Sequence, residues 1–236
     1  MSGLIGRVKS AGLNRFGFRV SVADVRQPAK GFLLLTLVGD ELTKHAWHAG
    51  DRMSLRTPDD ELRNYTPFDW DQAAGRARLL GVGLANGPGT RFLSTLAVGD
   101  EVQVIGPKKS IDLNLDQAPI IVGDETVLGL CAAWVNMHPT LPATVVLEAA
   151  DIGACQAAAQ AIGVAPDRVV ADRDSLVAAV VETARDHPTA PLILSGRAQT
   201  IAAVRRALKD AGLNDRRTNP STAARAYWDE NRAGLD

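Results

Sequence analysis

Between residues 16 and 115 the apolar residues come in short runs of the kind that half-buried strands require. Phe18, Val20 and Val22 alternate with Arg19, Ser21 and Ala23, a period of two that puts the apolar set on one face. Residues 32–38 are almost continuously apolar and rich in leucine, as a strand buried on both sides is. Shorter runs at 52–56, 78–82 and 101–105 predict further strands. Turn chemistry separates them: Gln27-Pro28, Ala49-Gly50-Asp51, Thr57-Pro58-Asp59-Asp60 and Val98-Gly99-Asp100. Strands at this spacing predict an antiparallel β-barrel or sandwich. Beyond 116–119 the pattern changes. Apolar runs at 120–122, 143–148, 168–171 and 192–195 alternate with helical stretches at 125–134, 154–162, 175–184 and 200–211. In the last of these Ile201, Val204 and Leu208 share a face, and Gly212 follows as a natural C-terminal stop. Such alternation predicts a parallel sheet covered by helices. The expected organisation is therefore an antiparallel barrel over residues 1–117 and a smaller α/β domain over 118–236.

Composition narrows the function classes. Of 236 residues 46% are hydrophobic and 22% charged, enough for an ordinary core. Lys plus Arg number 26 against 27 Asp plus Glu, a formal charge of −1. That balance gives no basic stripe for nucleic acid or anionic membrane. No apolar window approaches the ~18 residues of a membrane span, and the N-terminus lacks a signal-like apolar stretch. Cys131 and Cys155 form no CxxC pair and imply a reduced, cytoplasmic setting. His45 and His48 flank Trp47 without a third ligand, so a surface turn explains them better than a metal.

Two segments carry candidate chemistry. In Arg63-Asn64-Tyr65-Thr66-Pro67, strand geometry lets Arg63 and Tyr65 share a face. A guanidinium fork suits phosphate oxygens, an aromatic ring offers a stacking surface, and Thr66 can hydrogen-bond a polar ring edge. A surface ion-pair partner beside a core-edge ring is the plainer reading of the same residues. In Asn86-Gly87-Pro88-Gly89-Thr90-Arg91-Phe92-Leu93 the glycines admit close backbone approach and the segment opens a short helix. Unpartnered amides at a helix start bind anions; a Gly-Pro turn with Thr90 as cap is the alternative.

Together these segments, R-x-Y-T followed by G-P-x-[ST]-x-[WF], resemble the flavin-binding half of the siderophore-interacting protein family. That family is a branch of the ferredoxin-reductase-like flavoproteins. The resemblance continues through Val98-Gly99-Asp100-Glu101-Val102 to Gly106-Pro107, Gly123-Asp124-Glu125-Thr126, Leu194-Ser195-Gly196 and Tyr227-Trp228. It implies FAD-dependent reduction of a ferric siderophore, with electrons from NAD(P)H or a ferredoxin. Carried over by position, Arg63, Tyr65 and Thr66 would hold the flavin's ring and ribityl-phosphate. Gly87, Gly89, Thr90 and Arg91 would hold the pyrophosphate. Asp124, Glu125 and Thr126 would lie at the mouth of the reductant site, and Trp228 would cover part of the isoalloxazine. Lys108 and Lys109, in a loop expected to face the cleft between domains, would draw in an anionic substrate.

The sequence departs from the family at three places. Gly83-Leu84-Ala85-Asn86 stands where members carry histidine-glycine-aspartate, and Arg197 follows the last-strand glycine where a glutamate is usual. The C-terminal basic tail is diluted to Asp229-Glu230-Asn231-Arg232. Arg197 would either read a phosphorylated dinucleotide or cap a helix region. No G-x-G-x-x-G follows the strand at 120–122, which argues for transient dinucleotide docking. A flavin or quinone reductase with a non-iron acceptor, and a non-catalytic flavin- or siderophore-binding protein, remain alternatives.

Overall fold

The computed structural model describes residues 17–83, 88–213 and 222–229; the side chains of 88–90 and 222 lie outside that description. Seven strands form the first sheet: β1 (Phe18–Ala29), β2 (Phe32–Val38), β3 (Arg52–Arg56), β4 (Leu62–Tyr65), β5 (Asp69–Asp71), β6 (Arg76–Val82) and β7 (Glu101–Lys108). They pair in the order β4-β3-β7-β1-β2-β6-β5, antiparallel at every described ladder. Among the described residues the edges β4 and β5 share no ladder, but β4 borders β6, so the sheet curls back on itself as the expected barrel does. Helix α1 (Pro88–Thr95) follows β6 and sets Leu93 over Gly81.

The alternation along β1 is realised as expected: Val20 and Val22 are buried while Arg19 is exposed. They join Leu35, Leu37, Met53, Leu55, Leu79 and Val104 in the sheet's interior. β5 was not legible as a strand, because Asp-Trp-Asp has neither the length nor the apolar alternation of one. Its pairing with β6 across Asp69↔Arg78 and Asp71↔Arg76 supplies what its composition lacks.

The second sheet is parallel, ordered β10-β9-β8-β11-β12. Its strands are β8 (Ile120–Asp124), β9 (Thr144–Glu148), β10 (Arg168–Val170), β11 (Leu192–Arg197) and β12 (Thr222–Trp228). The helices are α2 (Leu128–Met137), α3 (Ile152–Ala161), α4 (Arg173–Asp186) and α5 (Ala198–Asp210). Capping explains two starts: Asp151 accepts from the Ala154 amide and Asp172 from the Ser175 amide, both at 2.9 Å. Strand β12 was missed in the pattern, since Thr-Ala-Ala-Arg-Ala-Tyr-Trp shows no apolar run. Tertiary pairing with β11 makes it a strand.

The two sheets share one apolar cluster. Phe32, Leu34, Phe68 and Leu80 from the antiparallel side pack with Leu128, Leu130, Cys131 and Trp134 of α2 and with Ile111 and Leu113 of the connector. From Leu128 to Trp134 helix α2 is apolar on every side because both sheets wrap it, while its last turn is exposed. Trp134 is fully buried, yet its indole N–H is satisfied by the Leu141 carbonyl at 2.8 Å. Its ring stacks on His138 at 4.0 Å, and the His138 ring hydrogen-bonds the Leu113 carbonyl oxygen at 3.0 Å. Asn136 donates to the Phe68 carbonyl at 2.7 Å. Burial also raises both cysteine thiols, Cys155 to about 12, so both stay protonated and inert at neutral pH.

Truncating Trp134 to alanine should cost about 3–5 kcal/mol of unfolding free energy, as large aromatic deletions in cores do. Urea denaturation followed by far-UV circular dichroism checks this. A loss under about 1 kcal/mol would mean the seam between the sheets is not a shared core.

Candidate functional site

In an open parallel sheet, ligands bind beyond the carboxyl ends of the strands where the winding reverses. Here β8 leads to β9 and β10 on one side, and the chain then returns to β11 and β12 on the other. The reversal lies between β8 and β11. The last residues of those two strands are Asp124 and Arg197.

Asp124 is fully buried and its carboxylate is surrounded by donors. One oxygen accepts from the Thr126 amide at 2.9 Å and from the Thr126 hydroxyl. The other accepts from the Arg197 amide at 2.7 Å and from the Trp228 indole N–H at 3.0 Å. One side chain thus ties the ends of β8, β11 and β12 together. Gly196 makes the approach possible: its φ is +98°, and a Cβ there would sit 2.5 Å from the Asp124 carboxylate.

A charged chain runs outward from this knot. The Arg197 guanidinium stands 4.7 Å over the Trp228 ring and pairs with Glu148 at 3.3 Å. Thr200 donates its hydroxyl to the other Glu148 oxygen at 3.1 Å and accepts from Arg173 at 3.3 Å. Glu125 accepts from the Ala150 amide at 2.7 Å. Burial lifts the Glu125 carboxyl above its ordinary value; the Ala150 hydrogen bond opposes this, and the charges of Asp124 and Glu148 add to it.

The opposite wall comes from the antiparallel sheet. Thr66, just past β4, is buried, and its hydroxyl lies 2.8 Å from that of Tyr227 on β12. Gly129 in the first turn of α2 presses on the same residue: a Cβ there would lie 2.7 Å from the Thr66 carbonyl oxygen. Thr66, Asp124, Thr126 and Trp228 therefore meet at one junction between the sheets. Arg63 lies earlier on β4, where it pairs with Glu61 and donates to the Leu62 carbonyl at 3.0 Å. Tyr65 packs against the antiparallel core, and burial raises its phenol.

Gly87 lies outside the described residues. Gly89 and Thr90 fall in the first turn of α1, Arg91 is exposed beside them, and both α1 and β4 border β6. Lys108 and Lys109 are exposed. Lys109 pairs with Asp112 at 3.4 Å on the rim of a cleft of about 1110 Å³. The cleft's aromatic lining is Trp47, Phe68 and Trp70, with Arg78 5.2 Å over the Phe68 ring. Ala133 and Met137 of α2 also line it. These lie one and two helical turns beyond Gly129, so the cleft adjoins the Thr66 junction within roughly 6–12 Å along the helix. His48 is an exposed partner of Asp51, and no cluster of three metal-ligating side chains occurs among the described residues.

No family model and no curated protein matches the sequence. Solved structures do match the fold. A siderophore utilization protein from T. fusca aligns with TM-score 0.70 at 21% identity, over 93% of this chain and 95% of its own. The siderophore-interacting protein from Acinetobacter baumannii aligns with TM-score 0.71 at 14% identity, over 91% of both chains. The chain has the fold of the siderophore-interacting proteins. That fold is ferredoxin-reductase-like: a ferredoxin-NADP+ reductase from Plasmodium falciparum aligns with TM-score 0.68 at 10% identity, over 89% of this chain and 96% of its own.

Within this ferredoxin-reductase-like fold, three junction residues were not expected from the sequence. Tyr227 was visible only as half of a terminal dipeptide, with nothing to pair it with Thr66. Glu148 and Thr200 sit in a strand and a helix that read as ordinary elements. Arg197, open in the sequence between two roles, is engaged by Glu148 and Trp228.

The raised Glu125 carboxyl has a calculable consequence. Below its ordinary value of 4.5 the group is protonated folded or unfolded and contributes nothing. As pH rises from there through the higher folded value, the unfolded chain releases its proton first, so stability falls. Glu125→Gln keeps an oxygen for the Ala150 amide and removes that fall. Its melting temperature relative to the parent should therefore rise between pH 4.5 and 7, and parallel thermal melts across that window check it.

Proposed function

We propose that the chain is an FAD-dependent oxidoreductase that reduces a ferric siderophore, with electrons from NAD(P)H or a ferredoxin. The observation carrying this is the meeting of Thr66 and Tyr227 with Asp124, Thr126 and Trp228, where the antiparallel sheet faces the winding reversal of the parallel one. Similarity of fold to siderophore-interacting proteins supports the same reading. The division into a flavin-holding part, residues 1–117, and a reductant-docking part, 118–236, belongs to this proposal.

The residues fit a flavin dinucleotide. Strand β4, which carries Arg63, and helix α1 both border β6, and a guanidinium and helix-start amides both suit a diphosphate. Arg63, Gly87, Gly89, Thr90 and Arg91 would hold that diphosphate, with Arg63 leaving Glu61 to do so. Tyr65 and Thr66 would orient the ring from the antiparallel side and Trp228 from the other, while Asp124 and Thr126 fix the edge on which Trp228 stands. A bound flavin takes electrons as a pair and passes them on singly, which a one-electron ferric acceptor needs. Reduction lowers the charge on iron and loosens its hold on hard anionic oxygen ligands. The cleft beside the junction would receive the chelate, with Lys108 and Lys109 drawing it in.

A second reading, a flavin-linked reductase with a non-iron acceptor, is favoured by one feature. The cleft's cations are matched by acids, Lys109 by Asp112 and Arg78 by Asp69 at 3.5 Å, and this suits an uncharged acceptor.

Recombinant protein should purify yellow or take up FAD on titration. Arg63→Ala should weaken FAD affinity by about ten- to a hundredfold, the worth of a charge-assisted hydrogen bond. Colourless protein that binds no flavin would end this proposal. Neutralising Lys108 and Lys109 together should raise the Michaelis constant for an anionic ferric chelate and flatten its salt dependence. An unchanged salt profile with ferric chelate, alongside rapid quinone reduction, would favour the second reading.

A further inference from the structure

We infer that the crevice between β8 and β11 accepts NADH and refuses NADPH, and that Glu148 decides between them. This rests on the reductase reading above and goes further, by naming the reductant and the residue that selects it.

Position comes first. In a dinucleotide-binding βαβ unit, an acidic side chain at the end of the second strand receives the ribose hydroxyls when the 2′ position is free. An arginine nearby accommodates a 2′-phosphate when it is not. Here β8-α2-β9 has that strand-helix-strand order. Glu148 is the last residue of β9, 25 residues after Gly123 of β8, where the general spacing is about 20.

Charge comes second. Three carboxylates stand together at the carboxyl ends of β8 and β9: Asp124, Glu125 and Glu148, each less than a tenth exposed. A 2′-phosphate would bring about 1.5–2 further negative charges to this group. In so desolvated a place like charges repel strongly.

The third observation removes the obvious counterweight. Arg197 is the cation at the reversal itself, but it is already engaged, by Glu148 at 3.3 Å and by the Trp228 ring at 4.7 Å. Its ion pair spans from β11 across the end of β8 to β9. Arg173 donates to Thr200, whose own hydroxyl is turned on Glu148. Both cations are thus organised around the Glu148 carboxylate, which leaves the crevice set for hydroxyl groups and against a phosphate.

Gly123 has no room beside it for a close ligand, because the Ser195 carbonyl occupies that space. The adenosine ribose is then the part of the dinucleotide on which discrimination falls.

The test is a pair of binding measurements with a kinetic check. ADP-ribose and its 2′-phosphate are titrated calorimetrically into flavin-loaded protein, and anaerobic flavin reduction is followed with NADH and with NADPH. Like-charge exclusion of this kind predicts about a hundredfold preference for the unphosphorylated forms. Glu148→Gln keeps an acceptor for Thr200 and releases Arg197, so it should cut that preference at least about tenfold by tightening the 2′-phosphate. Glu148→Asp, which keeps the charge, should retain the preference and serves as the folded control. Equal or tighter binding of the 2′-phosphate to the parent protein overturns the inference, as does binding of neither analogue or an unchanged ratio in Glu148→Gln. A protein that takes up flavin yet prefers NADPH sinks this inference and leaves the reductase reading standing. A protein that takes up no flavin sinks the reductase reading itself.

Discussion

A single buried carboxylate holds the business end of this molecule in shape. Asp124 cannot be hydrated where it lies, so its cost is offset only because four donors converge on it from the turn after β8, the end of β11 and β12. Without this acceptor the amide after Gly196 and the indole of Trp228 would both be left over, and β12 would lose its anchor on β8. The position of Trp228 beside the junction with Thr66 is thereby a consequence of electrostatic satisfaction more than of apolar packing.

The same economy governs the joint between the sheets. Helix α2 leaves the Asp124 knot and carries its first turn into contact with Thr66. It then runs on under Phe68 and Leu80 as part of one continuous apolar cluster. Because Leu128–Trp134 of this helix are all buried, it cannot slide without opening voids against both sheets, and close-packed interiors resist that. A flavin ring held on one sheet and a reductant held on the other would therefore meet at a distance set by α2. The aromatic cleft beside Lys109 is lined by the far turns of the same helix, so it is positioned by the same constraint.

The charge arrangement is local and asymmetric, although the chain as a whole is almost neutral. Acids concentrate at the carboxyl ends of β8 and β9, where Glu125 already resists ionisation because of its burial and its neighbours. The cations that balance them arrive from β11 and α4. This division of labour is invisible to composition, because the partners are separated by long stretches of sequence and meet only when the sheet reverses its winding.

Much of the architecture could be read directly from residue order. The alternation at Phe18–Val22, the leucine-rich run after Phe32 and the strand-helix rhythm beyond residue 119 are local patterns. Burial on one face or two imposes them without reference to distant partners. The strand position of Arg63 and Tyr65 was legible for the same reason, since it rests on neighbours along the chain. What tertiary structure alone decided was pairing across distance: that Asp-Trp-Asp would be a strand, that the alanine-rich C-terminal segment would join β11, and that Arg197 would face Glu148. Hydrogen-bonded ladders and buried ion pairs form between residues that share no local pattern, so only the folded chain can show which side chains answer one another.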